Sequence, residues 1–240
     1  MEKPKFAVLQ RIINGERTYG ITPRIAGGFI SPDNLIKIGQ VAKKYKGVLK
    51  ITSGQRIAIL RLKAEDVEKA WTDLGMEPGV LSTYSVKNVE MCPATFCKRM
   101  KLDSLKLGMK LEKRYYGQSA PNRTKIGVSG CRNACGSVNA KDIGVIGTFD
   151  KGFVIKAGGS AGFHPRLADV IAENLNEDGA YYMVEAIYDY YNDKAEMGLK
   201  LGDFIDQLGL SQFIEDVNEI FKKKIKEHSV DNDGILEENQ

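Results

Sequence analysis

Two cysteine pairs constrain this chain more than any other feature of its sequence. The 240 residues contain four cysteines, with Cys92 and Cys97 in a C-x4-C pair and Cys131 and Cys135 in a C-x3-C pair. Both pairs lie among small or turn-forming residues, which let the backbone fold closely around a bulky inorganic group and offer amide donors to its sulfurs. Four thiols in two pairs predict one metal site, and an iron–sulfur cluster is the first interpretation.

Zinc binding and disulfide formation are the two other uses of these cysteines that compete with a cluster. Zinc also binds four thiolates in structural sites, so a zinc site stays open from the residues alone. Structural disulfides are less favoured, because four cysteines are sparse for a disulfide scaffold in a chain of 240 residues and cytosolic thiol buffers oppose such bonds.

Composition indicates an ordinary globular protein in the cytoplasm. Hydrophobic residues make up 42% and charged residues 28%, and the chain is long enough to bury a sizeable core. No apolar run approaches the roughly 18 to 20 residues of a membrane helix, and the N-terminus MEKPKFAVLQR lacks the apolar centre of a secretory signal. The net charge of +4 is spread among acids, without a basic run interleaved with aromatics, so we expect no nucleic-acid partner.

The pattern over residues 1–84 predicts strand, helix, two strands, helix and strand. Residues 5–13 alternate weakly, and Ser31 with Pro32 begins a helix that ends near Gly47. VLKITS and RIAILRL then indicate two strands, AEDVEKAWTDLG an amphipathic helix, and VLSTYSV a last strand. This order is the split βαβ arrangement of a ferredoxin-like half-domain, and the predicted class is α+β.

Residues 85–228 predict a second, α/β domain that is richer in loops and glycine. The run SLKLGMKLEKRYYG indicates a helix with Leu105, Met109 and Leu111 inward, and KIGVSG, DIGVIGTFD and GFVIKAGGSAG indicate strands. Polar residues 229–240 predict a frayed C-terminal tail. The C-terminal helices are expected at about 165–175, 179–196, 202–208 and 211–226.

Several stretches resemble the siroheme-containing nitrite and sulfite reductases. These stretches occur in the family's order over residues 20 to 165. The chain departs from the family pattern at two points. The first cysteine pair is one residue shorter than the usual C-x5-C, and Arg132 stands where the family commonly has proline. No internal repeat is visible, whereas many members contain two related halves, so the resemblance is to a small single-half, assimilatory-type sulfite reductase. The stretches are PRIAGGFISPDNL, ITSGQRIAIL, VKNVEMCPATFCK, VSGCRNACG and KDIGVIG, with a weaker echo at GLKLGDFIDQLGL.

The resemblance implies two cofactors. A [4Fe-4S] cluster is expected on Cys92, Cys97, Cys131 and Cys135, and the last of these also bridges to the iron of siroheme. Siroheme is a polycarboxylate macrocycle and the substrate is an oxyanion, so a pocket for both needs several cations, because burying unpaired anions costs several kcal/mol each.

The resemblance also implies the residues that surround these groups. Arg24, which precedes a pair of glycines, and Arg56, Arg123 and Lys125 are expected to act on the anion. A guanidinium offers a planar fork to oxyanions, and Arg123 and Lys125 stand at alternate positions, which share one face of a strand. The residues expected to bind the macrocycle are Arg24, Thr52, Gln55, Arg56, Lys87, Asn88, Asn133 and Cys135.

The activity implied is the six-electron reduction of sulfite to sulfide, with nitrite reduction to ammonia as the second candidate. A different class of function is an accessory or electron-transfer subunit that binds the same cofactors without turnover. The sequence has no G-x-G-x-x-G dinucleotide motif after a strand and no cysteines for a second cluster. We therefore expect a separate electron donor, such as a ferredoxin or a partner subunit, and a single half is compatible with a homo-oligomer.

Overall fold

The computed structural model describes residues 3–13, 15–150 and 152–233. These residues form two compact units, Met1–Ser82 and Thr83–Gln240. Each unit combines a β-sheet with helices, so the predicted α+β class is confirmed. Within the described part of the chain, no helix has the length and apolar character needed to cross a membrane.

The first unit is built on a four-stranded antiparallel sheet. Its strands are β1 (Val8–Ile13), β2 (Glu16–Ile21), β3 (Val48–Ile51) and β4 (Ile57–Leu62), in the order β1-β2-β4-β3. The predicted strand VLSTYSV is wrong, because residues 80–85 belong to no strand. β1 forms a hairpin with β2 and occupies the sheet edge that this segment would need.

Helices α1 (Pro32–Lys44) and α2 (Val67–Leu74) cover the first sheet. The side chain of Ser31 accepts a hydrogen bond from the amide of Asn34 at 3.3 Å, which caps α1 in the way that its sequence predicts. α2 ends at Gly75, whose φ of 57° is left-handed. The buried core of this unit includes Ile21, Ile38, Val41, Ile59, Leu62, Val67 and Leu74.

The second unit contains a mixed five-stranded sheet. Its strands are β5 (Val86–Met91), β6 (Thr124–Ser129), β7 (Ile143–Gly147), β8 (Phe153–Ala157) and β9 (Asp169–Leu175), hydrogen-bonded in that order. β5, β6 and β7 run parallel, whereas β8 and β9 add antiparallel pairs. The strands predicted from KIGVSG, DIGVIGTFD and GFVIKAGGSAG are confirmed.

The helix expected over residues 165–175 is wrong. Residues Asp169–Leu175 form β9, which pairs with β8 at the edge of the sheet. The pairing register shifts twice, and Asn174 adopts a positive φ of 62°. Such irregularity interrupts the alternation of apolar and polar residues that identifies a strand in sequence. The segment therefore lacks the sequence pattern of a strand.

Four helices complete the second unit: α3 (Ser104–Tyr115), α4 (Glu177–Lys194), α5 (Leu201–Leu208) and α6 (Leu210–Asp233). The three later helices agree with the helices expected near 179–196, 202–208 and 211–226. The predicted frayed tail begins inside α6, and its residues 234–240 lie outside the described part of the chain.

The inward face of α3 differs from its prediction at one residue. Leu111 is fully buried and Leu105 is partly buried against the same core, but Met109 is 41% exposed. The fully buried Leu107 and Leu111 lie four positions apart and define the inward face of α3. Met109 lies two positions from each of them, and residues two apart on a helix do not face each other.

Leu111 and Met109 of α3 provide a test of the core. Replacing Leu111 by alanine leaves a cavity, and we expect the free energy of unfolding to fall by about 2–5 kcal/mol. Met109→Ala, the matched change on the exposed face, is expected to alter it by about 0.5 kcal/mol or less. Urea denaturation followed by circular dichroism measures both. Equal losses for the two variants would contradict the assigned face.

Candidate functional site

The fold brings the two cysteine pairs to one edge of the second sheet. Cys92 directly follows β5, and Cys131 follows β6 by two residues. Because β5 and β6 are parallel, their carboxyl ends lie side by side. A short 3-10 turn, Ala94–Phe96, then returns the chain to Cys97. One cavity is lined by Cys92, Pro93, Ala94, Cys97, Met100, Ser129, Gly130, Cys131 and Cys135.

The donor set around this cavity fits an iron–sulfur cluster. The backbone amides of Ala94 and Gly130 each donate to the Sγ atom of Cys92 at 3.3 Å. The Nδ2 group of Asn133 donates to the Sγ atom of Cys135 at 3.0 Å. Hydrogen bonds of this kind stabilise negative charge on cluster sulfurs and set the reduction potential.

Gly130 shows how closely the backbone is packed beside the thiols. A side chain at this position would place its Cβ atom 2.9 Å from the hydroxyl of Ser104 and 3.0 Å from the carbonyl oxygen of Leu102. Only glycine fits here, and the close packing is what presents the Gly130 amide to Cys92.

Cys135 differs from the other three cysteines in its exposure. Its residue is exposed, whereas Cys92, Cys97 and Cys131 are partly buried. A thiol at the edge of the cavity can face a second group as well as the first, and the bridging role of Cys135 stays a prediction.

A larger cavity of about 740 Å³ adjoins the cysteine cavity. Cys131 lines both, and Asn133 lies in the wall of the larger one. Its volume is within the range of about 300–1,000 Å³ found for ligand pockets. The rest of its wall is mainly basic and consists of Lys98, Arg99, Lys101, Arg132, Thr148, Phe149 and Asp150.

Arg132, which replaces the family's common proline, forms an ion pair across this wall. One of its terminal nitrogens donates to both carboxylate oxygens of Asp150 at 2.7 Å. The two side chains are 65% and 56% exposed, so the pair contributes about 1 kcal/mol or less to stability. It neutralises one cation of the wall and leaves Lys98, Arg99 and Lys101 as its excess positive charge.

In the first unit, the predicted residues Arg24, Thr52 and Gln55 take part in local contacts. The Arg24 guanidinium forms an ion pair with Glu77 at 2.7 Å. The Thr52 hydroxyl donates to the carbonyl of Arg56 at 2.9 Å and accepts from its amide at 3.2 Å. Gln55 occupies the left-handed region, with φ of 56°. Thr52 therefore stabilises the turn that presents Gln55 and Arg56.

The structure brings two of the sequence motifs of the first unit together. A Cβ atom at Gly28, in the segment after Arg24, would lie 3.0 Å from the Cβ atom of Gln55. The Nε group of Arg56 is buried and has no hydrogen-bond partner among the described residues. An unpaired buried guanidinium nitrogen costs about 1–3 kcal/mol or more, so Arg56 is suited to an anionic ligand.

In the second unit, Lys125 and Asn88 belong to a buried charge network around Glu90. Glu90 is only 3% exposed and accepts from Lys141 at 2.5 Å and from the Asn88 amide at 2.8 Å. The ammonium of Lys125 lies 4.0 Å from the same carboxylate. In the sheet, Asn88 is paired with Lys125 and Glu90 with Gly127, so these side chains share one face.

The ionisation of Lys125 is shifted by this environment. Burial lowers the pKa of its ammonium, and the charges of Lys141 and Arg123 lower it further, while Glu90 opposes them. Arg123 itself is exposed, just before β6. Lys87, another predicted macrocycle ligand, is buried within β5.

Sequence reasoning missed four residues of this unit: Glu90, Ser129, Lys141 and Asp142. Asp142 accepts a hydrogen bond from the amide of Lys125 at 2.9 Å, and burial raises the pKa of its carboxyl. A signal was present, because the glutamate between Val89 and Met91 and the KD step before IGVIG put charges next to apolar residues. Charges in such positions are almost always paired.

Two curated proteins illustrate the similarity of this chain to known enzymes. The assimilatory-type sulfite reductase of Nitratidesulfovibrio vulgaris is 37% identical over 211 residues, which cover 87% of this chain and 95% of that protein. The large subunit of the NAD(P)H nitrite reductase of Klebsiella oxytoca is 36% identical over 200 residues, covering 82% of this chain but only 21% of that protein.

A solved structure supports the fold independently. The NirA protein of Mycobacterium tuberculosis superposes with a TM-score of 0.73 at 19% identity, covering 86% of this chain and 40% of that chain. At this identity the likeness concerns the fold alone.

Two family models match the chain in succession. Residues 11–76 match the nitrite/sulfite reductase ferredoxin-like half domain, and residues 82–225 match the nitrite and sulphite reductase 4Fe-4S domain, which contains all four cysteines. These matches confirm the predicted enzyme class, an oxidoreductase, and the predicted cofactors, a [4Fe-4S] cluster and siroheme. The chain belongs to the nitrite and sulfite reductase family.

Proposed function

We propose that this chain reduces sulfite to sulfide with electrons from an external donor. The observation that carries the proposal is the extent of the likeness to the Nitratidesulfovibrio vulgaris sulfite reductase, which reaches 95% of that protein's length. Nitrite reduction is the second candidate, because the nitrite reductase of Klebsiella oxytoca is almost as similar, at 36% identity. That enzyme is far longer, and this chain spans about a fifth of it.

The four cysteines are proposed to hold the cluster, with Cys135 also facing the siroheme iron. Support comes from the shared cavity, from the amide hydrogen bonds to Cys92, and from the exposure of Cys135. Asn133 holds the Cys135 sulfur at 3.0 Å and keeps it oriented. When bound, the two cofactors supply one-electron storage and an iron that takes the substrate anion.

The basic wall beside the cysteine cavity is proposed to bind siroheme carboxylates. Lys98, Arg99 and Lys101 supply positive charge there, and Asn133 links the wall to Cys135. In the first unit, Gln55 and Arg56 are proposed as further carboxylate ligands, and the unpaired Nε group of Arg56 supports that role. The expected macrocycle contacts of Thr52, Lys87 and Asn88 stay predictions.

Lys125 is proposed to supply protons, and Arg24, Arg56 and Arg123 to attract the anion. Each sulfite oxygen leaves as water, so the reaction consumes protons as well as electrons. An ammonium whose pKa is lowered by burial and by Lys141 gives up its proton more readily than an exposed lysine. Guanidinium groups stay charged at any working pH and stabilise negative charge without reorganisation.

Electrons are proposed to arrive from a separate protein, such as a ferredoxin or a partner subunit. The four cysteines of the chain supply ligands for one cluster, and that cluster is already assigned to the catalytic centre. A thiolate-bound cluster is best preserved in a reducing compartment, which supports the cytoplasm as the place of action.

Turnover with an artificial donor tests the function. With reduced viologen under anaerobic conditions, we expect the holoprotein to form sulfide from sulfite faster than ammonia from nitrite. Lys125→Ala should lower kcat for sulfite by about a hundredfold, the usual contribution of a positioned proton donor. Lys113→Ala, an exposed lysine of α3, is the control and should retain the full rate.

Two other outcomes of this assay would contradict the proposed sulfite reduction. Faster ammonia formation would replace sulfite by nitrite as the substrate. Full cofactor occupancy without turnover of either anion would leave the chain as an accessory subunit.

A second test concerns the bridging cysteine. Cys135→Ser should remove the magnetic and electronic coupling between cluster and siroheme, because serine is a poor substitute for a shared thiolate. Mössbauer and EPR spectra of the reduced protein measure this coupling. Ser137→Ala, an exposed neighbour, serves as the control. An unchanged spectrum and unchanged activity in Cys135→Ser would refute the bridging role.

A further inference from the structure

Ser129 carries a buried hydroxyl that its own protein does not satisfy. The residue ends β6 and is 1% exposed. Its Oγ atom has no hydrogen-bond partner among the described residues. Leaving a buried polar group unpaired costs about 1–3 kcal/mol, and most buried hydroxyls in folded proteins are paired. A hydrogen-bond acceptor is therefore expected beside this hydroxyl in the functional protein.

The location of Ser129 identifies the kind of group. Ser129 lines the same cavity as the four cysteines. The other residues of that cavity wall, Pro93, Ala94, Met100 and Gly130, carry no polar side chain. When the cluster occupies its cysteines, its sulfur atoms become acceptors for this hydroxyl.

Other donors near the cluster are already assigned to particular sulfurs. The amides of Ala94 and Gly130 both serve Cys92, and the hydroxyl of Ser104 lies 4.0 Å from the same sulfur. Asn133 serves Cys135. Among the described residues that line the cavity, Ser129 carries the one side-chain hydroxyl, and its Oγ atom has no hydrogen bond to any of these sulfurs.

We propose that the hydroxyl of Ser129 donates a hydrogen bond to a sulfur of the [4Fe-4S] cluster and thereby raises the reduction potential of the cluster. This inference rests on the cluster assignment within the proposed function. When the cluster accepts one electron, its sulfurs gain negative charge, no bond breaks and the proton stays on Ser129. Hydrogen bonds to sulfur favour the more negative, reduced form. An easily reduced cluster accepts electrons from a weaker donor.

The midpoint potential of the cluster tests this proposal without reference to turnover. Wild type, Ser129→Ala, Ser129→Thr and Ser129→Val are purified as holoproteins and titrated against potential, with EPR as the readout. We expect Ser129→Ala and Ser129→Val to lower the equilibrium constant for reduction by about tenfold, which is about 59 mV for one electron. Threonine keeps the hydroxyl and has the shape of valine, so Ser129→Thr should stay close to wild type.

Ser85→Ala is the matched control, since Ser85 is a buried serine, 2% exposed, that precedes β5 rather than lining the cysteine cavity. Its potential should equal that of wild type. Equal potentials for the alanine, valine and threonine variants of Ser129 would overturn the proposal. So would failure of both hydroxyl-free variants to take up a cluster that Ser129→Thr binds, because the hydroxyl would then seat the cluster rather than tune it.

The outcome is separable from that of the proposed function. A holoprotein that reduces neither sulfite nor nitrite, but whose cluster potential falls in Ser129→Ala, would disprove the function and retain the hydrogen bond. Normal sulfite reduction by the wild type, together with an unchanged cluster potential in Ser129→Ala, would support the function and disprove the hydrogen bond.

Discussion

The parallel pairing of β5 with β6 is the constraint on which the metal site depends. It places the carboxyl ends of two strands together, and each cysteine pair begins within two residues of such an end. Ligands commonly bind beyond the carboxyl ends of strands in open sheets, because loops converge there. The two cysteine pairs are thus brought together by backbone hydrogen bonds between strands that are far apart in sequence.

The same sheet also carries a network of charged side chains on one face. Glu90, Lys125 and Lys141 come from three different segments; Glu90 and Lys141 are buried, whereas the Lys125 side chain is 31% exposed. Removing one member of a buried ion pair leaves an uncompensated charge that costs about 3–5 kcal/mol. This network therefore links the geometry of β5, which precedes Cys92, to the ionisation of Lys125 on β6. The proposed cluster ligands and the proposed proton donor therefore lie on paired strands of one sheet.

The sequence predicts those structural features that depend on residues close together along the chain. The cap of α1 by Ser31 and the strands around the second cysteine pair follow from neighbouring residues, and they are present. The edge strand β9 could not be predicted, because its bulges disrupt the alternation that marks a strand. The assignment of the sheet edge to β1 rather than to residues 80–86 depends on pairing across the fold. Ser129 was missed for a similar reason, since only the folded chain shows that its hydroxyl lacks a partner. For Glu90 the sequence shows a charge among apolar residues, but only the fold shows that Lys141 and Asn88 are its partners.

The exposure of Cys135 has a consequence for how the protein matures. Three of the four thiols are partly shielded, whereas this one meets solvent directly. Before loading, an accessible thiol is the one that peroxide reaches first, and oxidation beyond the sulfenic stage is irreversible. The thiol that is proposed to face the second cofactor is therefore also the one that is oxidised first in the cofactor-free polypeptide, and cluster assembly has to be faster than that oxidation.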